Sequence, residues 1–380
     1  MDDVPVHSVQ LVYSREEAIE FPTGQIDLGF CRQCGFIFNI AFDPQLHDYA
    51  KEYESTQGFS PTFNSFADRL VDSLITKYDL HAKEILEIGC GQGEFLQLLC
   101  EKGGNHGIGF DPAYRPEPSL VPAAVPAKTG HYEVIKDYYS EKYSDISADF
   151  YCCRMTLEHI QDTAGFVTMV RNAIGNREDA VVFFQVPDVT RILVEQGFWD
   201  IYYEHCSYFS LGSLARLFRR CGFDVVDLWK DYGEQYLMIE ARPGDGKGTP
   251  LLPAEDDLEE LKDQVDAFAG STPTTLKRWT DLVHSSWEQG KKIVLWGSGS
   301  KGVAFLTTLG LRDEIRYTVD INPNKTGTFM AGTGQEVVSP DFCRDYRPDI
   351  VIIMNPIYHD EIHALLQQMN VPSDLISLGK

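Results

Sequence analysis

Glu87, Gly89, Gly91, Gly93 and Asp111 are the residues whose types and spacing most directly suggest chemistry. In EILEIGCGQGEFLQLL the three glycines follow an apolar strand candidate and open an apolar-periodic helix. Glycines there let the backbone turn sharply and approach a ligand, while the helix N-terminus offers it unpaired N–H donors. The loop misses the dinucleotide fingerprint, whose last glycine would fall on Glu94, and S-adenosylmethionine fits it better. Glu87 can reach that ligand's amino group or order the loop around its carboxylate end. Asp111, about twenty residues beyond the loop, stands where an acceptor for the ribose hydroxyls is required. Asp137 and Tyr138, after the third strand candidate, are placed to hold an adenine by a hydrogen bond and by stacking. An ordinary turn is the competing reading for Asp137.

A second constellation lies in FWDIYYEHCSYFS, where Tyr202, Glu204 and His205 can take or relay a proton among aromatics that exclude water. Methyl transfer from a sulfonium requires an aligned acceptor and removal of its proton, and a neutral imidazole near a carboxylate suits that task. His205 is therefore expected as the base or its nearest relay, against the plainer reading of a buried His and Glu that satisfy each other. Glu158 and His159, in TLEHI, follow the fourth strand candidate, and His159 is expected in the wall of the cofactor site.

Two further groups carry motifs without a settled role. Gly297, Gly299 and Gly302 form a literal G-x-G-x-x-G after KKIVLW, with Lys301 inside it and Asp320 at the end of RYTVD. Three readings stand: binding on the acceptor side through Gly297, Gly299 and Lys301, an empty scaffold, or a nicotinamide dinucleotide site of an oxidoreductase or sensor. Cys31 and Cys34, in FCRQCGF, have metal-ligand spacing, but tetrahedral zinc needs two more donors. His7 and His47 are candidates for one of them, so zinc stays a doubtful cofactor. The remaining cysteines read as free buried thiols.

These residues need an alternating scaffold to hold them. Strand candidates EILEIG, HGIGF, YEVIK, DFYCC, AVVFFQV, FDVVDLW and YLMIEA alternate with helical periods, which predicts a doubly wound α/β sheet whose connections pass over the strands' carboxyl ends. At 380 residues the chain exceeds a single core. The expected parts are a lead-in lid over 1–75, a core over 76–245, a linker and connecting helix over 246–275, and a second α/β domain over 276–380. Fifty-seven acidic against thirty-three basic residues give a net charge of -24, which opposes nucleic acid or anionic lipid as partner. With neither a leader-like start nor an apolar run of membrane length, a cytoplasmic protein is expected.

Taken together, EIGCGQG, GFDP and CRMTLEHI resemble the motifs of class I S-adenosylmethionine-dependent methyltransferases. The layout over nearly the whole chain resembles the three-domain sugar C-methyltransferases, which act on keto-deoxysugars carried on a nucleotide diphosphate. The resemblance implies an α/β fold with a Rossmann-like methyltransferase core, a small N-terminal lid domain and a second C-terminal Rossmann-like domain. It further implies that the C-terminal domain closes over a small-molecule acceptor, a nucleotide sugar, with no redox step. Tyr202, Glu204 and His205 match the family residues thought to help form an enolate beside the keto group, and Tyr53 and Tyr49 loosely match its lid tyrosines. Four departures separate the chain from that family: one Cys-x-x-Cys element instead of two, Tyr203 for the family's first His, YGEQY for its His-Gly-Gly-Ser, and VPDVTRILVEQ for its acidic stretch after strand five. O-methylation of another small metabolite is the alternative they leave.

Overall fold

The computed structural model describes residues 1–46, 53–115 and 130–379. His47 and Tyr49 lie outside the described residues.

The first glycine loop sits in a seven-stranded sheet made of β1 (Glu84–Ile88), β2 (His106–Phe110), β3 (His131–Ile135), β4 (Phe150–Arg154), β5 (Val181–Pro187), β6 (Phe223–Asp231) and β7 (Tyr236–Pro243). Its order is β6-β7-β5-β4-β1-β2-β3, parallel from β3 to β5 and antiparallel across β7. The strands are apolar on both sides because helices cover both faces. In β5, Val182, Phe184 and Val186 enter one core while Val181 and Phe183 enter the other. In β4, Tyr151 and Cys153 divide from Phe150 and Cys152 in the same way, so the two thiols are core filling. Truncating a fully buried Phe such as Phe183 would cost about 3–5 kcal/mol.

Helix Pro61–Tyr78 packs on the glycine-loop helix Glu94–Gly103. Ser60 caps its N-terminus, Pro61 occupies the first turn, and left-handed Asp79 ends it. The boundary expected after residue 75 falls inside this helix, whose Phe66, Leu70 and Leu74 share a core with the sheet. The N-terminal strands are short: Val4–Pro5 pairs with Thr23–Gly24, and Leu28–Phe30 with Ile37–Asn39. The latter hairpin adopts Ser207–Tyr208 as its third strand, so the segment carrying His205 is stitched to the N-terminus.

The connecting helix runs over Leu258–Glu288, thirty-one residues, and continues through Pro273 past the expected boundary at 275. Beyond it β8 (Ile293–Trp296), β9 (Tyr317–Val319), β10 (Glu336–Val338), β11 (Ile350–Ile353) and β12 (Asp374–Ser377) form a wholly parallel sheet in the order β10-β9-β8-β11-β12. Phe198 and Trp199 leave the first unit to enter this second core. Phe198 stacks on Phe305 at 5.9 Å, and Trp199 meets Trp279 edge-on at 6.1 Å. That seam sets the second glycine loop against the first unit. Among the described residues no helix is long and apolar enough to cross a membrane.

Candidate active site

A cavity of about 1190 Å³ opens at the carboxyl ends of β1, β2 and β4, and all three parts of the chain line it. Gly89, Gly91, Glu87, Asp111, Asp137 and Tyr138 face it from the first unit, Tyr53 from the lead-in, and Gly297, Gly299 and Lys301 from the C-terminal domain. Gly93 is left out of the lining: it is the left-handed N-cap of the following helix, at φ +88°.

The two lining glycines are required for different reasons. A Cβ on Gly89 would sit 2.0 Å from Thr156 Oγ1, so close approach of the β1 and β4 loops excludes any side chain there. Gly91, at φ +59°, would meet nothing within 4 Å, which leaves its backbone open to a ligand. Asp111 ties this loop down, accepting the N–H groups of Gly91 and Ala113 at 2.8 Å each. Burial raises the Asp111 carboxyl above its ordinary range. Glu87 is 2% exposed, and its Oε2 has no hydrogen-bond partner. Burial pushes it up to about 8 against the pull of Arg154. A buried carboxyl with an unpartnered oxygen, beside a glycine turn whose backbone lies open to the cavity, fits the cationic amino-acid end of S-adenosylmethionine. At the rim Asp137 is held below its ordinary range by Lys142 and by Tyr143 Oη at 2.7 Å, and Tyr138 is exposed.

The acceptor half departs from expectation in one respect. Tyr202 and His205 line the cavity, their rings 4.2 Å apart, but Glu204 does not. Glu204 Oε2 accepts the N–H of Ser8 at 2.9 Å and the Ser8 hydroxyl, and Oε1 lies 3.6 Å from His7 Nδ1. Burial opposes charge on Glu204, yet His7, His159 and Ser8 more than offset it and hold the carboxyl below its usual range. Instead, the carboxylate facing His205 is that of Glu158, whose Oε1 is 4.0 Å from His205 Nε2. Glu158 rises to about 8 on burial. Between β4 and the turn that carries Glu158, Met155 takes a left-handed φ of +50°, a strained conformation for a non-glycine residue. His159 stands edge-on to His205 at 4.8 Å, with Nδ1 2.9 Å from the Glu204 carbonyl, and burial depresses its pKa. Tyr203 points away into the N-terminal core, where its hydroxyl accepts the Asp43 N–H at 2.8 Å and donates to the Asp43 carbonyl at 3.1 Å.

On the opposite wall Gly297 is left-handed at φ +114°, and Lys301 forms an ion pair with Asp200, which also lies 3.7 Å from Arg191. Burial lowers the Lys301 pKa despite Asp200. Asp320, the residue a dinucleotide ribose would need, accepts the N–H of Ser298 at 3.0 Å, its hydroxyl at 2.5 Å and the N–H of Asn322 at 2.9 Å, with Lys325 at 3.7 Å. Its oxygens are occupied within its own domain.

Two stretches of the chain match known families: residues 62–228 the methyltransferase domain, and residues 251–372 the C-methyltransferase C-terminal domain. The chain is an S-adenosylmethionine-dependent methyltransferase. The methyltransferase is similar to the C-methyltransferase NovU of Streptomyces niveus, at 26% identity over 89% of this chain and 81% of that one. It is also similar to a ubiquinone biosynthesis O-methyltransferase of Neisseria meningitidis, at 26% identity over 39% of this chain and 67% of the relative. The solved 1,6-didemethyltoxoflavin-N1-methyltransferase of Burkholderia thailandensis aligns with 47% of this chain and 79% of its own, at 18% identity and a TM-score of 0.35.

The zinc expectation finds little support in the geometry of the methyltransferase. Cys31 and Cys34 are half-buried neighbours with no third donor grouped beside them among the described residues, and His7 is engaged with Glu204. Among those residues the one group of three possible ligands is Glu158, His159 and His205, with donor atoms within 4.8 Å of one another. Bonds of about 2.1 Å to one ion would put donors only about 3.4 Å apart, so this trio is not set for a metal as it stands.

Several cavity groups had no signal in the sequence. Glu54, 4% exposed, receives Arg115 at 3.1 Å, Asn322 at 3.3 Å and Asn324 at 3.2 Å, joining the lead-in to both domains. Gln235, within the YGEQY segment, and Asn355 exchange amide hydrogen bonds of 3.1 and 2.9 Å across the cavity mouth. Each pair is separated by more than fifty residues, so no local pattern announces it.

Proposed function

We propose that the methyltransferase C-methylates a small ketone-bearing acceptor, a nucleotide-linked ketosugar. The observation that carries this reading is the shared cavity, in which Tyr202 and His205 face the first glycine loop and the C-terminal domain supplies the opposite wall. The C-methyltransferase C-terminal match and the NovU likeness support it.

Glu87, Gly89, Gly91 and Asp111 are the residues that hold the cofactor, with Asp137 and Tyr138 at the adenine end. Bound there, S-adenosylmethionine supplies an electrophilic methyl on sulfonium. The imidazole of His205 removes the proton from the acceptor carbon beside its keto group: the C–H bond breaks, an N–H bond forms, and the electron pair passes into the enolate. The Tyr202 hydroxyl, which burial keeps protonated, donates to the developing oxyanion. Tyr53 closes the lead-in side and excludes water. Gly297, Gly299 and Lys301 steady the far end of the acceptor, where the helix N-terminus favours negative charge. An acceptor phosphate must share Lys301 with Asp200.

A mass-spectrometric screen of nucleotide-linked ketosugars with S-adenosylmethionine tests this reading, the expected product gaining about fourteen mass units with the new methyl on carbon by NMR. His205→Ala should lose turnover by about a hundredfold or more with cofactor affinity intact. Unchanged turnover in that variant would refute the base assignment, and a methyl found on oxygen would give the reaction to O-methylation.

A further inference from the structure

We propose that Glu158 is the positioning residue for the catalytic imidazole: its carboxyl shares a proton with His205 Nε2 and so sets the ring's tautomer and basicity. The proposal rests on His205 being the base.

Glu158 occupies the short turn Leu157–His159 and lines the cavity at 1% exposure. Its backbone is anchored, the carbonyl accepting the Cys206 thiol at 3.7 Å, whereas neither carboxylate oxygen has a hydrogen-bond partner. Such a group needs a physical reason to persist, since burying an unsatisfied carboxyl is costly. The nearest group able to carry positive charge is His205, at 4.0 Å. That separation is longer than a hydrogen bond, as catalytic pairs often are before substrate closes the site.

The other acid beside this imidazole pair cannot take the role. Glu204 is turned away from the cavity to the N-terminal segment, where Oε2 accepts the Ser8 N–H and hydroxyl and Oε1 faces His7 Nδ1 at 3.6 Å without a hydrogen bond. The groups surrounding Glu158 are His205 and His159, the tyrosines Tyr202, Tyr53 and Tyr236, and the thiols Cys153 and Cys206; the guanidinium of Arg154 is laid over the Phe95 ring at 3.8 Å and bonded to Gln185. With no cation to stabilise it, the carboxyl is pushed up to about 8 by burial.

The consequence is a proton inventory set by the cofactor's charge. In the ligand-free protein at neutral pH the carboxyl keeps its proton. The positive charge of a bound sulfonium would favour the carboxylate, the Glu158 proton passing to solvent; the carboxylate then accepts Nε2–H, which places the basic electron pair of the imidazole on the other ring nitrogen, Nδ1. When Nδ1 takes the acceptor proton, the imidazolium forms against a carboxylate already in place. No atom or electron is left over: one proton moves from carbon to Nδ1, and the second stays on Nε2, where the Glu158 carboxylate accepts it.

Side-chain nitrogen NMR of the full-length protein saturated with S-adenosylmethionine tests this without an acceptor, the His205 signal being assigned by its loss in His205→Ala. In the wild type the Glu158–His205 pair should titrate with two apparent pKa values, and Glu158→Gln should lower the His205 value by about one unit or more. Glu158→Asp should restore part of the shift. Calorimetry with S-adenosylhomocysteine confirms that each variant is folded. A His205 titration identical in wild type and Glu158→Gln would overturn the proposal, as would turnover abolished by a chelator and restored by zinc or manganese. If turnover survives in His205→Ala, the base assignment fails instead; if it is lost there but the titration ignores Glu158, only the present inference fails.

Discussion

Gly89 and Gly297 both follow an apolar strand, and both donate their N–H to the end of the neighbouring strand, to Phe110 and Val319, at 2.8 Å. Each loop is tied by an acid at the end of the next strand: Asp111 accepts Gly91 and Ala113, and Asp320 accepts Ser298 and Asn322. Each leads into a ten-residue helix ended by a left-handed glycine, Gly104 or Gly310. The hydrogen-bond plan is the same, and the difference lies at four positions. Where the first strand carries Glu87 with an unpartnered Oε2, the second carries fully buried Leu295. Gly91 is left-handed and open, while Gly299 has an ordinary φ of −87°. Asp111 keeps a raised pKa with only backbone partners, whereas Asp320 is held low by Lys325 and the Ser298 hydroxyl. Lys301 answers to Asp200 of the other domain. A glycine loop thus supplies the turn, and the residues beside it decide whether a charged ligand is needed there.

The comparison can be broken most severely at Gly89. Gly89→Ala places a methyl against Thr156 and forces a left-handed alanine, so S-adenosylmethionine affinity should fall by about a hundredfold or more, read by calorimetry. If affinity is kept, the first loop is not the cofactor cradle.

Glu87→Gln should weaken cofactor binding by about tenfold, the scale of losing one charge-assisted hydrogen bond. In the wild type the carboxyl near 8 must lose its proton to meet a cationic group, so affinity should strengthen as pH rises from 6.5 to 8.5 and stay flat in the variant. The sign for stability is opposite. A carboxyl raised in the folded state stabilises fully below its unfolded pKa near 4.5, and that contribution is lost as pH rises through about 8. Ligand-free Glu87→Gln should therefore melt higher than wild type at pH 8.5 and show less difference at pH 5. A lower melting temperature at pH 8.5 would mean that Glu87 is satisfied by a partner in the folded protein.

The smallest effect is expected at Gly299. Its φ is ordinary and a Cβ would meet nothing within 4 Å, so Gly299→Ala should change stability by less than about 0.5 kcal/mol and leave S-adenosylmethionine affinity untouched. Titration with NADH should show no saturable binding in wild type or variant, since Asp320 has its oxygens engaged. Saturable NADH binding would make the two loops functional equals.

Much of this was legible in the chain itself. The seven strands of the first sheet announce themselves by apolar runs separated by helical periods, and the residues proposed to hold the cofactor lie in a motif packed into about twenty-five positions, where local geometry leaves few choices. The acceptor side was legible in composition but not in direction. Tyr202 through His205 read as one proton-handling group, yet Glu204 and Tyr203 turn outward while Tyr202 and His205 turn in. That division follows from Ser207–Tyr208 pairing with Ile37–Phe38 and from Ser8 capturing Glu204 across 196 residues. The connecting helix, expected to end at 275, runs on to Glu288 through Pro273.

Sequence alone determined where backbone must turn sharply, which strands lie buried on both faces, and which side chains can bind a cation or carry a proton, because these depend on residue type and near neighbours. Tertiary structure alone decided that Glu158 rather than Glu204 faces His205, that Lys301 spends its charge on Asp200, and that two glycine loops share one cavity. Those outcomes depend on contacts between segments far apart in the chain, where burial removes water and leaves each charge to be settled by whichever group the fold brings near it.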